Sequence, residues 1–379
     1  MADRSLLGGA DVSDEHLRAM VAHQLDTSPE RLGELTCDVE EVAYDIPAIT
    51  TAGRWWVRGT ADTGDGEASF AFFVKAVQAW ERSPVFQYVP EELREFAASS
   101  FPFRTEGAAY RSDLADRLPP GLRMPTAYDV HEIDDRSYAL WLEAVPAVTA
   151  TWDLDRYRRA ARLLGRMAAS RDVAPLALVG DFPFRVRDYV EGRLANQVVP
   201  ALRSDVWQHP AIAATWDPEL RERVLASLDH LAEWADEADA LPPAATHGDA
   251  CPNNLLVTPL DPDGFVLIDY GLWNALPVGF DLGQLLVGDV VIGRRPSARL
   301  AETEAAIVPA YVEGLRAEGS DVGEATVRRG HALMTYLFNG VSALPFEELD
   351  LGQVPDALAA LAAERAAVAR FCLDLVDAT

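Results

Sequence analysis

The chain has 379 residues, 60 of them acidic and 33 basic, which gives a formal net charge of −27. This charge excludes the basic surface that nucleic acids and anionic membranes require, so we expect neither as a partner. Hydrophobic residues make up 49% and charged residues 25% of the chain, values that exclude a disordered chain or a coiled coil. We therefore expect a globular protein of two or three domain-sized units.

Cysteine usage and hydropathy both indicate the cytoplasm. Cys37, Cys251 and Cys372 show no spacing typical of a disulfide framework or a zinc site. No stretch is long and apolar enough to span a membrane, and the first residues lack the apolar core of a signal peptide. The sequence therefore predicts a cytoplasmic protein.

The first 145 residues carry patterns typical of β-strands. Residues 55–60 and 69–74 flank a turn at 62–66 that is rich in Gly and Asp, which predicts a hairpin. A helix is predicted over 106–118, because the prolines that follow cannot continue it. Residues 138–143 predict one more strand.

The composition changes near residue 145. Beyond this point the chain is rich in Ala, Leu and Arg at helical spacing; Leu163, Leu164 and Met167, for example, share one helix face. A long helix is predicted over 354–376. We therefore predict two domains, a β-rich domain over 1–145 and a larger helical domain over 146–379.

One β pattern interrupts the helical half. Residues 255–258 and 265–268 are short apolar strands joined by a turn-rich loop. In an antiparallel pair the start of the first strand lies beside the end of the second, which places Asn254 next to Asp269. Because Asp249 lies just before the first strand, we expect these three oxygen-bearing side chains to converge at one end of the hairpin.

This set of side chains suits a magnesium site. Two carboxylates and an amide, with no cluster of histidines, favour a hard cation such as Mg²⁺ over zinc. Proteins usually hold magnesium through one or two side chains together with substrate phosphates, so a nucleotide is the expected companion.

Lys75 is the only lysine in the chain, and the other 32 basic residues are arginines. It lies at the end of a largely apolar strand pattern, where a cation needs a counter-charge. Glu106 on the following helix is a candidate partner, and other acidic residues nearby are alternatives. The alternative is a lysine whose charged end reaches solvent from a surface strand.

Residues 247–254, His-Gly-Asp-Ala-Cys-Pro-Asn-Asn, match the HGDxxxxN catalytic loop of the aminoglycoside phosphotransferase family, a relative of the protein kinases. Further segments resemble that family in the expected order, namely 73–75, the helix with Glu106 and Tyr110, 267–271 and 279–283. The resemblance covers roughly residues 45–350. It implies an α+β, bilobal protein-kinase-like fold with a small β-rich N-lobe and a larger helical C-lobe.

The resemblance also implies a reaction. The γ-phosphate of a nucleoside triphosphate would move to a substrate hydroxyl whose proton Asp249 accepts or orients. Asn254 and Asp269 would hold Mg²⁺, and Lys75, fixed by Glu106, would bind the nucleotide phosphates.

The resemblance defines two parts of the nucleotide site less completely, namely the hinge that holds the adenine and the loop that covers the phosphates. Residues 138–145 would form the hinge that holds the adenine edge, with Glu143 and Val145 as the nearest candidates. The phosphate-covering loop has no GxGxxG motif, and its best candidate is the segment 49–54 with Gly53. This departure leaves ATP or GTP open, and an ordinary hairpin turn remains the alternative reading of 49–54.

Three residues near the catalytic loop are expected to be structural. We expect His247 to bond the loop backbone rather than carry protons, and Cys251 to fill space. Asp281 is predicted to cap the helix that begins near Leu282 and to brace the catalytic loop.

The acceptor is a small hydroxylated molecule in our interpretation, such as an aminoglycoside-like antibiotic, a sugar or an amino alcohol. Two segments are the expected walls of its pocket: 182–216, with Arg185, Arg187, Tyr189, Trp207 and His209, and 330–350, with Tyr336, Asn339, Glu347 and Glu348. Acidic side chains there would suit a cationic acceptor. The alternatives are a Ser/Thr kinase acting on a peptide in a biosynthetic pathway and a pseudokinase binding module; we expect a monomer or a homodimer.

Overall fold

A computed structural model describes residues 3–43, 49–180, 182–350 and 355–379. These residues divide into two compact units. The first consists of the described residues of 1–115 with 124–147, and the second of 116–123 with the described residues of 148–379.

The first unit is built on an antiparallel sheet in the order β1-β2-β3-β6-β5. Its strands are β1 Leu35–Glu41, β2 Thr51–Asp62, β3 Glu67–Gln78, β5 Ala127–Asp134 and β6 Ser137–Glu143. The predicted hairpin is confirmed, since β2 and β3 pair from Thr51↔Val77 to Asp62↔Glu67. Gly64 and Gly66 in the turn have φ of +80° and +145°, values that favour glycine.

The sheet is covered on one face by the N-terminal segment. The helix α1 Asp14–Gln24 places Leu17, Met20 and Val21 in the same buried core as Phe72 and Trp141. The Trp141 indole N–H donates to the Ala10 carbonyl at 3.1 Å, so this large side chain is both buried and satisfied.

The helix predicted over 106–118 is wrong as a single element. The chain forms α2 Arg94–Ser99, α3 Thr105–Arg111 and α4 Leu114–Arg117, with a break at Ser112. The Ser112 hydroxyl donates to the Ala109 carbonyl at 2.7 Å and accepts from the Leu114 N–H at 3.2 Å. A serine side chain that bonds nearby backbone competes with the helix, and here it ends α3.

The second unit is largely helical. Its helices are α5 Leu154–Ala169, α6 Val186–Tyr189, α7 Val199–Leu202, α8 Pro210–Ala213, α9 Pro218–Ser227, α10 Leu231–Asp239, α11 Phe280–Val291, α12 Leu300–Ala317, α13 Glu324–Thr335, α14 Phe346–Asp350 and α15 Pro355–Asp377. The long C-terminal helix predicted over 354–376 is present as α15, while Val354 lies outside the described residues. Two π-helical segments, Val190–Val198 and Tyr336–Gly340, continue α6 and α13.

Short strands carry the loops of interest in this unit. They are β4 Leu122–Arg123, β7 Pro243–Thr246, β8 Leu255–Leu256, β9 Phe265–Leu267 and β10 Asn274–Pro277. β8 and β9 are antiparallel with Leu255 opposite Leu267, as the sequence predicts, and β4 adds in parallel to β9. Across the described ranges, no helix is long and apolar enough to cross a bilayer.

Candidate active site

The loop that follows β7 is shaped by Gly248. This residue has φ of +81°, and a Cβ on it would lie 2.1 Å from the Leu272 carbonyl oxygen. Only glycine fits such a position, since other residues would meet both the backbone strain and the clash. The loop ends in the 3₁₀ turn Pro252–Asn254, which leads directly into β8.

Asn254 holds Asp249 in place. Its Nδ2 donates to the Asp249 carbonyl and to Asp249 Oδ2, both at 2.9 Å. Asn254 is buried, and Asp249 is half-buried. Because the amide nitrogen bonds these two acceptors, the amide oxygen of Asn254 is the atom that can accept from or bind another group.

Asp269 follows β9 and lies close to Asn254, as the hairpin register predicts. The N–H of its neighbour Ile268 donates to the Asn254 carbonyl at 3.1 Å. Asp269 has φ of +66° and ψ of +66°, the left-handed region that few residues other than glycine adopt. Strained backbone of this kind costs about 1–3 kcal/mol and is concentrated at functional sites.

His247 fixes the loop from behind. Its Nε2 donates to the Ile268 carbonyl at 2.9 Å, and its Nδ1 accepts the Asp249 N–H at 3.3 Å. Burial lowers the pKa of His247 to about 4, so the ring is neutral at pH 7 with one donor and one acceptor. The predicted structural role of His247 is therefore confirmed.

Asp281 braces the same loop. Its two carboxylate oxygens accept the N–H of His247 at 3.0 Å and of Gly248 at 2.9 Å, while the side chain is fully buried. Burial raises the pKa of Asp281 to about 7, and the two backbone donors favour its ionised form. The bracing role is confirmed, but the predicted cap is wrong: α11 begins at Phe280, with Gly279 at its N-cap.

Cys251 is inert in this setting. Its side chain is buried against α11, where a Cβ on Gly288 would lie 2.6 Å from the Cys251 Cβ. Burial raises the pKa of the Cys251 thiol well above its usual range, which suppresses the reactive thiolate. The expectation that Cys251 fills space is confirmed.

The first unit holds the predicted ion pair of Lys75 and Glu106. Lys75 Nζ on β3 lies 2.7 Å from Glu106 Oε2 on α3, with side chains only 7% and 4% exposed. The helix is fixed to β6 through Tyr138, whose hydroxyl accepts the Gly107 N–H at 3.0 Å and donates to the Phe103 carbonyl at 2.8 Å. Lys75 is thus a buried cation with its counter-charge, rather than a solvent-directed surface lysine.

The remaining nucleotide candidates of the first unit are Gly53, Glu143 and Val145. Gly53 lies in β2, just after an irregularity in the pairing with β3, and residues 44–48 before this region lie outside the described residues. The Glu143 N–H donates to the Thr126 carbonyl at 2.8 Å, and the Val145 carbonyl accepts the Ala147 N–H at 2.8 Å. Intramolecular bonds therefore already use one backbone group of each hinge candidate.

The model of the phosphotransferase enzyme family matches residues 81–316, more than half of the chain. The chain belongs to this family. Together with the sheet-rich and helical units, this match confirms the predicted α+β, protein-kinase-like fold. No curated protein matches the phosphotransferase chain in sequence.

Several solved structures are similar to this phosphotransferase at low identity. Amicoumacin kinase in complex with AMP-PNP, Ca²⁺ and Ami shows 12% identity and a TM-score of 0.48, with 97% of both chains covered. Choline kinase from Streptococcus pneumoniae shows 12% identity and a TM-score of 0.44, with 94% of this chain and 99% of that chain covered. An aminoglycoside-3'-phosphotransferase of type VIII shows 21% identity and a TM-score of 0.40, with 86% and 100% covered.

Two of the expected acceptor-wall residues belong to the core of the phosphotransferase. Trp207 is buried and its indole N–H donates to the Leu202 carbonyl at 2.6 Å. Tyr336 is fully buried and its hydroxyl bonds the Ser227 hydroxyl. Both polar groups are satisfied internally, so these side chains support the helical unit instead of facing a substrate.

One side-chain contact of the loop 247–254 could not be predicted from the sequence. Arg294, after α11, donates through Nη1 to Asn253 Oδ1 at 2.5 Å and holds the loop from its outer side. The two residues are 41 positions apart; Asn253 occupies an unspecified position of the motif at 247–254, and Arg294 lies outside every motif named above. Only the packing of α11 beside the loop brings them together.

Proposed function

We propose that this phosphotransferase moves the γ-phosphate of a nucleoside triphosphate to a hydroxyl group of a small molecule, with Asp249 as the base. The observation that carries the proposal is the fixed position of the Asp249 carboxylate. Asn254 holds it from one side, and the loop beneath it is bonded to His247 and Asp281. A preorganised carboxylate can accept the proton of a hydroxyl as that hydroxyl attacks phosphorus.

The donor set fits magnesium. Within the described ranges no three His, Cys, Asp or Glu side chains form a metal cluster, so a cation would depend on the amide of Asn254, the carboxylate of Asp269 and substrate oxygens. Bound Mg²⁺ would neutralise charge on the phosphates. Asn254 and Asp269 would hold it, and the left-handed backbone of Asp269 would orient the carboxylate for this role.

Lys75 would bind the nucleotide phosphates in this proposal. Its ammonium is held by Glu106 in a buried position, and an ammonium fixed in this way can bind a phosphate as a point charge. Gly53, Glu143 and Val145 would complete the nucleotide site. We propose ATP as the donor, with GTP as the alternative, and a cytoplasmic site of action where these nucleotides are available.

Neutral His247 would not move protons during the reaction. Both of its ring nitrogens already bond backbone, and its pKa of about 4 keeps it neutral at working pH. Asp249 would therefore act without a histidine relay, and Asp281 would hold the loop through its bonds to the His247 and Gly248 N–H groups.

Substitution of Asp249 tests the proposal. We expect Asp249→Ala to abolish phosphoryl transfer, measured as ADP release over a panel of hydroxylated antibiotics, sugars and amino alcohols, while stabilisation by MgATP survives. Asp229→Ala is the matched control, because Asp229 is 79% exposed on the same unit and should not affect turnover. Full activity of Asp249→Ala would remove the assigned role.

The same panel distinguishes the alternatives. ADP release that depends only on Ser/Thr peptides would assign a peptide kinase. MgATP binding with no acceptor-dependent ADP release would assign a pseudokinase. Cationic acceptors should be the best substrates if the acidic side chains of the chain contribute to recognition.

A further inference from the structure

A cavity of about 370 Å³ lies on the helical unit, away from the residues discussed so far. One wall is the helix α5, which presents Arg159, Arg162 and Arg166 to it. The spacing of these residues, i, i+3 and i+7, places all three on the same helix face. The opposite wall is the loop between β8 and β9, with Asp263.

Three guanidinium groups, those of Arg159, Arg162 and Arg166, line one cavity. Two of them have carboxylate partners: Arg166 Nε lies 2.7 Å from Glu318, and Arg159 lies 3.4 Å from Asp263. Asp263 is 78% exposed, so its hold on Arg159 is weak. The other carboxylate in the cavity wall, Asp261, accepts the Gly264 N–H at 3.0 Å and stabilises its own turn.

Hydrogen-bond donors remain unused in this cavity. The exposed side chain of Arg162 forms no hydrogen bond or ion pair with any described residue. Arg159 Nε is buried and has no hydrogen-bond partner among the described residues. A buried donor without an acceptor is costly, so Arg159 Nε indicates a ligand that brings acceptor oxygens, and the exposed guanidinium of Arg162 is free to bind the same ligand.

We infer that this cavity binds a phosphate group, either free or carried on a small organic molecule. Two guanidinium forks match the several oxygens of a phosphate better than a single carboxylate does. Leu163 and Ala317 provide apolar surface for the carbon part of an organic phosphate. An extended polyanion is disfavoured, because the strongly acidic protein around the cavity would repel it.

The cavity also contacts the hairpin that leads to the catalytic residues. Its loop joins β8 and β9, whose opposite ends continue into Asn254 and Asp269. A bound phosphate would tie this loop to α5 through Arg159 and Arg162. The binding site itself does not depend on the proposed function, because it rests on the arginines and the cavity alone.

Calorimetric titration of the full chain with inorganic phosphate and with glycerol 3-phosphate tests the inference. We expect saturable binding of at least one of them, weakened by about tenfold or more in the double variant Arg159→Ala/Arg162→Ala. Arg158→Ala is the matched control: Arg158 is on the same helix but pairs with the exposed Asp155, and its loss should leave binding unchanged. Tighter binding of glycerol 3-phosphate would assign an organic phosphate, and equal binding would assign the free ion.

Two outcomes would overturn the inference. The first is the absence of binding to wild-type protein at millimolar ligand. The second is binding that the double variant retains in full, which would place the phosphate at another site such as Lys75. The single variant Arg162→Gln guards against misfolding, since Arg162 makes no intramolecular bond with described residues and should still lose part of the affinity.

Discussion

Two buried carboxylates, Glu106 in the first unit and Asp281 in the second, are stabilised by different groups. Glu106 faces the ammonium of Lys75 at 2.7 Å. Asp281 instead accepts two backbone N–H groups, from His247 and Gly248. Burial would disfavour the ionised form of either carboxylate, and each arrangement offsets that cost in its own way.

The partner of Glu106 is a movable side chain, whereas the partners of Asp281 are fixed backbone groups. A lysine side chain has several rotatable bonds and can turn from a carboxylate to a phosphate, so the position of Lys75 depends on Glu106. Backbone donors cannot leave the loop to which they belong. Asp281 is therefore suited to hold a loop permanently in one shape, and Glu106 is suited to position a side chain that, in the proposed function, also binds the nucleotide.

Among substitutions at these ionised groups, removal of the Lys75 ammonium should have the largest effect on stability. We expect Lys75→Met to lower the free energy of unfolding by about 3–5 kcal/mol, because it removes the cation that faces a buried carboxylate. The double variant Lys75→Met/Glu106→Leu should recover most of that loss, since replacing both charges with apolar groups is often neutral. Urea unfolding at pH 7 measures both; equal stability of wild type and Lys75→Met would show that Glu106 does not rely on the ammonium.

A smaller loss is expected for Asp281→Asn. The amide keeps one acceptor oxygen but turns an NH₂ group toward a backbone N–H, which leaves that buried donor unsatisfied and costs about 1–3 kcal/mol. Turnover should fall as well, because the catalytic loop loses its brace. Urea unfolding and ADP release measure these effects, and an unchanged variant would argue that the loop holds its shape without Asp281.

The loss of stability caused by Asp281→Asn should depend on pH. Asp281 has a folded-state pKa of about 7 against an ordinary 3.8, so between these values the folded protein holds a proton that the unfolded chain has lost. Its contribution to stability is present at low pH and is lost as pH rises toward 7. The destabilisation by Asp281→Asn should therefore be larger at pH 5 than at pH 7.5, by on the order of 1 kcal/mol.

The contribution of buried His247 to stability depends on pH in the opposite direction to that of Asp281. Its folded-state pKa of about 4 lies below the ordinary 6.5, so its contribution is present above pH 6.5 and is lost as pH falls toward 4. Wild type and Asp281→Asn share this effect, which cancels when the two are compared. A pH-independent difference between them would mean that Asp281 stays ionised throughout.

The smallest effect is expected for an exposed carboxylate. Glu40 pairs with Arg58 at 2.7 Å, but the two side chains are 71% and 50% exposed. Glu40→Gln should change the free energy of unfolding by less than about 0.5 kcal/mol, since water and salt screen such pairs. It is the matched amide control for Asp281→Asn, and a loss comparable to that of Asp281→Asn would show that burial is not what separates these carboxylates.

Much of this arrangement could be predicted from sequence, where local signals were strong. The β2–β3 hairpin follows from its turn, and the ion pair of Lys75 and Glu106 follows from the need to neutralise a cation in an apolar strand. The place of Asn254 beside Asp269 follows from antiparallel register. In each case one local rule is sufficient.

The features that could not be predicted depend on packing between distant segments. Ser112 interrupts a helix through bonds of its own hydroxyl, and Gly279 rather than Asp281 takes the N-cap of α11. From sequence alone, the hydroxyl of Tyr336 could face either a substrate or the protein interior. The structure shows that it bonds the Ser227 hydroxyl inside the helical unit. The spacing of the arginines on α5 can be read from the sequence, but the packing of the β8–β9 loop opposite them cannot.

The order of strands in the first sheet makes β6 depend on a strand outside the region that the family model matches. The family model begins at residue 81, after β3 has ended at Gln78, although β6 lies between β3 and β5 in the sheet. A chain trimmed to 81–316 would therefore leave β6 with an open edge and uncover Leu140 and Trp141, both fully buried in the intact protein. Open apolar edges pair with other chains, so we expect a chain of residues 81–316 to aggregate if it is expressed alone.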